Sequence, residues 1–247
     1  MNTLFSVLRA DGSVRRLADV LASAPQQTLA HGFAGSLKHA AVAAAYDDAP
    51  RPLAIVTSGR EALRAWQEDL TSILPEADVY ELPELDHIDF AAPGAAKSLE
   101  RSAQRMNILA RLLRHEPIIV LADIGAAAQK GLSTAEFSRA ALSLRLGESL
   151  PRETLLERLS VLGYEHVSEV EHAGQFSVRG GIVDLFPINA LSPIRVEFFD
   201  AEIDSMREYD PLTKRSIKNI GTASVMPLRA ADDEGEACFL TYLGREG

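Results

Sequence analysis

The chain has 247 residues, of which 47% are hydrophobic and 24% are charged. This balance is typical of a folded globular protein and excludes a collagen-like, coiled-coil or wholly disordered chain. The 25 basic residues are outnumbered by 35 acidic ones, a net charge of −10, which argues against a protein that grips the DNA backbone with a basic face. No apolar run is long enough to span a membrane, residues 1–25 lack a secretory signal, and Cys238 has no second cysteine to pair with. We therefore expect a cytoplasmic protein.

The first 125 residues alternate short apolar strands with helices. Strands are predicted at 28–31, 53–57, 78–82 and 118–122, and helices at 36–46, 58–73 and 98–113. We expect Ser58 to cap the second helix, because Glu61 follows it in capping-box spacing. The apolar spacing of the third helix places Arg105 on its outer, solvent-facing side. Such alternation of strand and helix predicts a parallel sheet covered by helices.

The pattern changes after about residue 130. A strand is predicted at 142–146, followed by a helix that begins at Pro151 and ends at Gly163 in the C-cap position. From Tyr164 onward nearly everything reads as strand, which predicts a second domain at 131–220 with a helix and a mostly antiparallel sheet. Residues 221–247 are expected to begin a return to the first domain. We interpret the acidic run 232–236 as a solvated loop in preference to a binding tail, and the chain as part of a longer protein.

The segment between the first strand and the first helix has the position of a phosphate-binding loop. That motif needs an opening glycine, a second glycine before a lysine, the lysine itself, and a hydroxyl residue after it. Gly32 and Lys38 match, with Gly35 between them, but Leu37 replaces the second glycine and His39 replaces the hydroxyl that would bind magnesium. A side chain at Leu37 stands where backbone amides would wrap a phosphate. We interpret the loop as a relic that keeps the strand–turn–helix geometry without the chemistry, in preference to an ATP-binding site.

The second informative segment spans residues 174–187. Strict alternation would separate its apolar residues, so we predict a β-bulge at Gly180-Gly181 that returns them to one face. The predicted core face carries Phe176, Val178, Val183 and Leu185. The opposite face carries Arg179, Asp184 and Phe186, and an arginine beside an aromatic suggests a protein-binding patch. The alternative is that Phe186 packs under a loop while Arg179 pairs with Asp184.

The remaining polar residues indicate no catalytic or metal site. His166 and His172 lie six residues apart with no cysteine or third ligand nearby, which is not a zinc pattern. The acidic loop around His87 is interpreted as solvated, and no serine lies in a nucleophile elbow. Asp123, at the end of the fourth strand, is interpreted as a helix cap or loop residue. We therefore assign no catalytic residue, no metal and no cofactor.

Three motifs of the second domain form a long and specific pattern. They are Gly163-Tyr164, the segment GQFSVRGGIVDLFP at 174–187, and the segment RVEFFDAEIDSMR at 195–207. Together they resemble the UvrA-interaction domain shared by UvrB and the bacterial transcription-repair coupling factors (Mfd). The segment LPELD at 82–86 and the helix at 98–113 resemble the same family, so the likeness covers nearly the whole chain. UvrB keeps an intact Walker A motif, so the damaged loop favours the coupling factors.

The resemblance implies a degenerate RecA-like or Rossmann-like parallel-sheet layer at 1–130, followed by a smaller α+β domain that binds UvrA. It implies a non-catalytic module that recruits nucleotide excision repair to stalled RNA polymerase. In that family RNA polymerase, DNA and ATP-driven translocation belong to regions absent from this chain. The family's UvrA interface is attributed to arginines and an aromatic, which the motifs place at Arg179, Phe186 and Arg195. The alternatives are a UvrB-like ATPase or a direct DNA-binding domain, and for Arg195 an internal pair with Glu197 or Glu208.

Overall fold

A computed structural model of the chain describes residues 3–22, 29–85, 94–228 and 237–243. It divides the chain into two units, each of which is described by itself. Unit 1 takes in the described residues up to Leu82 together with 111–127, and unit 2 takes in 83–85, 94–110, 128–228 and 237–243. The acidic run 232–236 and the loop around His87 lie outside the described residues.

The elements alternate early and become nearly all strand later. The helices are α1 Thr3–Ala10, α2 Gly12–Ala22, α3 Leu37–Asp48, α4 Arg60–Ile73, α5 Ala95–Leu113, α6 Ile124–Ala128, α7 Thr134–Ala140 and α8 Arg152–Val161, with a 3₁₀ helix at Phe239–Leu243. The strands are β1 Leu53–Thr57, β2 Val79–Glu81, β3 Ile119–Asp123, β4 Lys130–Gly131, β5 Leu142–Arg145, β6 Glu165–His166, β7 Gln175–Arg179, β8 Ile182–Leu185, β9 Ile194–Phe199, β10 Glu202–Tyr209, β11 Ser216–Asn219, β12 Thr222–Val225 and β13 Ala237–Cys238. Parallel and antiparallel sheets are both present, which confirms the predicted mixed α/β fold.

Unit 1 is built on a three-stranded parallel sheet in the order β1-β3-β2. The central strand β3 is apolar throughout its first four residues, all of which are buried, as expected of a parallel strand covered on both faces. Leu63 and Leu70 of α4 are buried in the same core, together with alanines of α3. The small alanine side chains let α3 pack closely against the rest of this core. As a result, most residues of α3 between His39 and Tyr46 are buried.

Two local expectations in unit 1 are wrong. The strand predicted at 28–31 does not form: residues 29–31 have no regular structure, and Thr28 is outside the described residues. Leu29 is its only large apolar side chain and is 88% exposed, so nothing draws this segment into the sheet. Ser58 does not cap α4 either, since the N-cap is Gly59 and no side chain caps that helix.

Arg105 in α5 also departs from its expected place. Although the periodicity puts it on the solvent side, the residue is only 3% exposed, and its Nη1 donates to the carbonyl of Pro83 at 2.8 Å. Burial lowers the pKa of Arg105 to about 10, because the charged form loses solvation there. Leu99, Met106 and Leu109 are buried as the apolar spacing predicts.

Unit 2 contains a six-stranded sheet in the order β11-β10-β9-β8-β7-β6, antiparallel except between β6 and β7. One face of this sheet buries Phe176, Val183, Leu185, Ile194, Val196 and Met206. The opposite face, called the outer face below, carries Ser177, Arg179, Asp184, Arg195 and Glu197. Helix α8 begins after Pro151 and buries Leu155 and Leu159, and Gly163 follows it with a φ of 88°, as the capping signals predict.

The predicted bulge at Gly180-Gly181 is a hairpin turn instead. β7 and β8 pair antiparallel, with Phe176 opposite Leu185 and Val178 opposite Val183, so the chain reverses at the two glycines. Gly180 adopts a φ of 61°, the left-handed conformation that two-residue hairpin turns require. Residues directly opposite in an antiparallel pair project to the same face. The predicted grouping of apolar side chains is therefore right, although its cause is a reversal of the chain.

Candidate partner-binding face

The structure places Arg179, Phe186 and Arg195 on the outer face of the six-stranded sheet. Asp184 lies opposite Ser177 on one side and opposite Arg195 on the other, so β9 adjoins β8 and Arg195 shares the face of Arg179. Phe186 follows two residues after Asp184, and its backbone N–H still bonds to β7 at 2.9 Å, which continues the ladder. The sequence alone could not say that these strands are neighbours.

Arg195 forms a forked ion pair with Asp184. Its Nε donates to Oδ1 at 2.7 Å and its Nη2 donates to Oδ2 at 2.8 Å. The guanidinium carbon also lies 5.1 Å from the centre of the Tyr209 ring, within cation–π range. The hydrogen bond to Asp184 is the main cause that raises the pKa of Arg195 above its ordinary value. The Arg195 side chain is thus fixed from within, with 22% of its surface still exposed.

The internal pairs considered for these arginines do not form. Glu197 accepts hydrogen bonds from Ser205 at 2.8 Å and from Arg207 at 2.5 Å, and these two bonds lower the pKa of Glu197. Glu208 pairs with Lys218 at 3.1 Å. Arg179 is exposed and donates from Nη2 to the backbone carbonyl of residue 168 at 3.2 Å. That carbonyl is neutral, so the hydrogen bond does not neutralise the positive charge of Arg179, which faces solvent.

The outer face also carries an exposed aromatic residue, Phe199, which the sequence motifs did not single out as a contact. Phe199, at the end of β9, is 77% exposed, whereas Phe186 is half-buried. Strand alternation after Arg195 already puts Phe199 on the outer face. Phe198 and Phe199 are adjacent and form one apolar run in the sequence, which obscures that they lie on opposite faces of the strand. The face therefore presents an aromatic ring and an arginine beside the turns of two hairpins.

The degenerate loop of unit 1 contains two glycines in the left-handed conformation and leads into α3. Gly32 and Gly35 have φ values of 90° and 53°, and Leu37 is the first residue of α3 and is 45% exposed. Lys38 is exposed as well. Residues 29–34, directly in front of the helical turn that leads into α3, have no regular structure.

His39 of α3 contacts two side chains of α4 in unit 1. Its Nδ1 lies 2.6 Å from Oδ2 of Asp69, and its ring centre lies 4.0 Å from that of Trp66. The hydrogen bond with His39 is the main cause that lowers the pKa of Asp69 below its ordinary value. The residue that stands in the magnesium-binding position thus links α3 to α4. Asp123 accepts a hydrogen bond from the backbone N–H of Ala126 at 2.8 Å, the cap that the sequence suggested.

The described part of the chain holds no group of three His, Cys, Asp or Glu side chains placed to bind a metal ion. Among the helices that the structure describes, none is long and apolar enough to cross a membrane.

Residues 142–230 match the protein family described as the UvrB interaction domain. The chain is also similar to curated proteins named transcription-repair-coupling factor. It is 26% identical to that of Bacillus subtilis (strain 168) over 229 residues, and 29% identical to that of Staphylococcus aureus (strain bovine RF122 / ET3-1) over 220 residues. These alignments cover 93% and 89% of this chain but 19% and 18% of the relatives, so the chain spans about a fifth of their length. The resemblance predicted from the motifs is confirmed.

Proposed function

We propose that unit 2 binds UvrA through the outer face of its six-stranded sheet. In this proposal the chain is a non-catalytic module that brings nucleotide excision repair to stalled RNA polymerase in the bacterial cytoplasm. The observation that carries the proposal is that the segment matching the UvrB interaction domain contains this face, with its exposed arginine and aromatic. RNA polymerase and DNA would be bound by the longer protein of which the relatives are examples.

The composition of the face supports a protein partner. Arginine and aromatic side chains are enriched among the residues that dominate binding energy in protein interfaces. Arg179 offers a planar fork suited to a partner carboxylate, and Phe199 offers an exposed ring for a partner pocket. Arg195 and Phe186 remain proposed contacts that are already held within the fold, so we expect them to contribute through shape as well as through direct contact.

The direct test is titration of purified UvrA into this chain at fixed salt. Arg179→Ala and Phe199→Ala should each weaken binding by roughly thirtyfold, the effect of truncating a hot-spot residue. Arg158→Ala and Val161→Ser are matched controls, since both change exposed residues of α8 and should leave UvrA affinity unchanged. Melting temperatures are measured for all four variants. Binding that survives both face variants, or that falls only in step with stability, would contradict the proposal.

We also propose that the division near residue 130 separates a nucleotide-free layer from the partner-binding domain. The support for a nucleotide-free layer is that Leu37 carries a side chain where amides would face phosphate, while His39 is engaged by Asp69. Restoring the motif with Leu37→Gly and His39→Thr should therefore yield no ATP turnover, because phosphoryl transfer also needs a second half-site and magnesium ligands. Turnover in that double variant, or ATP binding by the unaltered chain that Lys38→Ala abolishes, would revive an ATPase function.

A further inference from the structure

A short segment crosses the outer face and holds Arg179. β6 and β7 are neighbouring strands that run parallel. The segment that joins them must therefore return over one face of the sheet to the starting end of the strands. Its central residues Ser168–Glu171 are called the strap here. Within the strap Val170 is 1% exposed, whereas the polar residues Ser168, Glu169 and Glu171 are exposed. Val170 therefore anchors an otherwise solvated segment.

Two basic side chains tie the strap to opposite parts of the sheet. Arg179 of β7 donates from Nη2 to the carbonyl of Ser168 at 3.2 Å. Lys214, in the turn between β10 and β11, donates to the carbonyl of Val170 at 3.2 Å and pairs with Glu169 at 3.0 Å. β7 and β10 are separated by two strands in the sheet, so these contacts span its outer face. The strap is thus fixed at one end by Lys214 and presents a carbonyl to Arg179 at the other.

We propose that Val170 and Lys214 are positioning residues, which hold the strap so that its Ser168 carbonyl fixes the guanidinium of Arg179 for a protein partner. This inference rests on the proposed function. A long arginine side chain that is free in solution must lose its rotamer freedom when it docks, and ordering it beforehand removes that loss from the binding step. Ser168 uses one edge of the guanidinium, and the positive charge of Arg179 remains available to a carboxylate of the partner.

The alternative hypothesis is that the strap competes with the partner for Arg179 and so weakens binding. Glu169 lies close enough to Arg179 for the arginine's charge to lower the pKa of the glutamate, after the larger effect of Lys214. A strap that competed with the partner for Arg179 would therefore weaken binding, and loosening it would strengthen binding. The two ideas predict changes of opposite sign in the affinity for UvrA.

A double-mutant cycle in the full chain distinguishes these effects from a general structural role. Lys214→Met removes both contacts of the lysine with the strap but keeps its aliphatic stem. We expect it to weaken UvrA binding by roughly three- to tenfold, the effect of freeing one long side chain. In an Arg179→Ala background the same change should have no further effect, because its influence passes through Arg179. Val170→Ala should behave in the same way.

Lys218→Met is the matched control, since Lys218 is another lysine of the sheet that pairs with a glutamate, Glu208. It should leave UvrA affinity unchanged. Additive losses for Lys214→Met and Arg179→Ala would overturn the inference, because they would mean that Lys214 acts independently. Tighter binding by Lys214→Met would also overturn it, in favour of a competing strap.

A second readout needs no UvrA and separates failure of this inference from failure of the proposed function. Relaxation of the Arg179 side-chain Nε resonance, assigned by its loss in Arg179→Ala, reports how far the guanidinium is ordered. We expect increased motion in Lys214→Met and unchanged motion in Lys218→Met. If the unaltered chain fails to bind UvrA, the proposed function is wrong while this measurement still decides whether the strap orders Arg179. Equal order in the unaltered chain and in Lys214→Met would refute the ordering itself.

Discussion

Replacing Asp184 by asparagine removes the charge that fixes Arg195 while keeping the shape of the side chain. The Asp184 side chain is 9% exposed and accepts both arms of the Arg195 fork, at 2.7 and 2.8 Å. The asparagine can accept only one of these bonds, and it leaves a cation whose side chain is still 22% exposed. Water can therefore compensate part of the loss, unlike in a fully buried pair.

The expected loss of stability lies between the losses that follow from breaking an exposed ion pair and from breaking a buried one. Breaking a buried pair costs about 3–5 kcal/mol, whereas hydrogen bonds to charged groups contribute about 1.5–3 kcal/mol. Because Arg195 keeps some access to solvent, we expect Asp184→Asn to lower the free energy of unfolding of unit 2 by about 2 kcal/mol. That corresponds to a fall in melting temperature of roughly 4–8 °C for a domain of this size.

Amide hydrogen exchange in β8 and β9 measures this change in unit 2 itself, independently of unit 1. Arg195→Met keeps the aliphatic stem near Tyr209 and strands the Asp184 carboxylate, so it should cost at least as much as Asp184→Asn. The double variant should lose less than the sum of the single variants, with a coupling of about 1.5 kcal/mol or more. Arg207→Met serves as the control, because its pair with Glu197 is more exposed and should contribute about 1 kcal/mol or less.

Additive losses, or an Asp184→Asn variant within about 0.5 kcal/mol of the unaltered chain, would refute the reasoning, since that range is typical of surface changes. The result also bears on UvrA binding. If Arg195 stabilises unit 2 as strongly as expected, loss of binding by an Arg195 variant must be corrected for loss of fold before it is assigned to the interface.

Three further predictions concern backbone conformation and pH. Gly174→Ala should lower the melting temperature, because its φ is 87° and a Cβ would lie 3.0 Å from a leucine side chain; Gly35→Ala, with a φ of 53° and open space, should cost less. Gly180→Val should destabilise unit 2 by about 1–2 kcal/mol, since a β-branched residue is disfavoured at a φ of 61°; a melting temperature equal to that of the unaltered chain would contradict this. His39→Leu should cost about 1–2 kcal/mol in chemical denaturation, by loss of the hydrogen bond to Asp69. The pKa of Asp69 is lowered from 3.8, so this contribution is present above that pH and is lost as pH falls through the lowered pKa; a difference between the two proteins that persists in stronger acid would contradict it.

Local signals in the sequence predict most of the elements. β1 has the predicted bounds because a short apolar run lies between Pro52 and Ser58. Helix α8 is delimited by Pro151 and Gly163, whose backbone preferences act within one turn of helix. The outer face was also partly predictable, since alternation along β9 depends only on the strand itself. These features need no knowledge of which segments meet in the fold.

The errors arise where a distant segment decides the outcome. One extra residue in a strand and a reversal at Gly180 both bring the same apolar residues to one face, and only the pairing of β7 with β8 distinguishes them. Arg105 looks exposed by periodicity, yet a chain segment more than twenty residues earlier supplies its carbonyl partner. The fork between Arg195 and Asp184 follows from the register of β8 and β9, which the sequence does not specify.

The strand order of unit 1 also determines when its sheet can form during protein synthesis. β1 and β2 each pair with β3 and not with each other, and β3 is the last of the three to leave the ribosome. Leu53 must wait for Ile119, an interval of about three to thirteen seconds at typical elongation rates of about 5–20 residues per second. During that time the apolar residues of β1 have no strand partner and are open to chaperones or to mispairing with neighbouring chains. Codons that slow translation between β2 and β3 should therefore lower the yield of folded protein more than the same codons placed after β3.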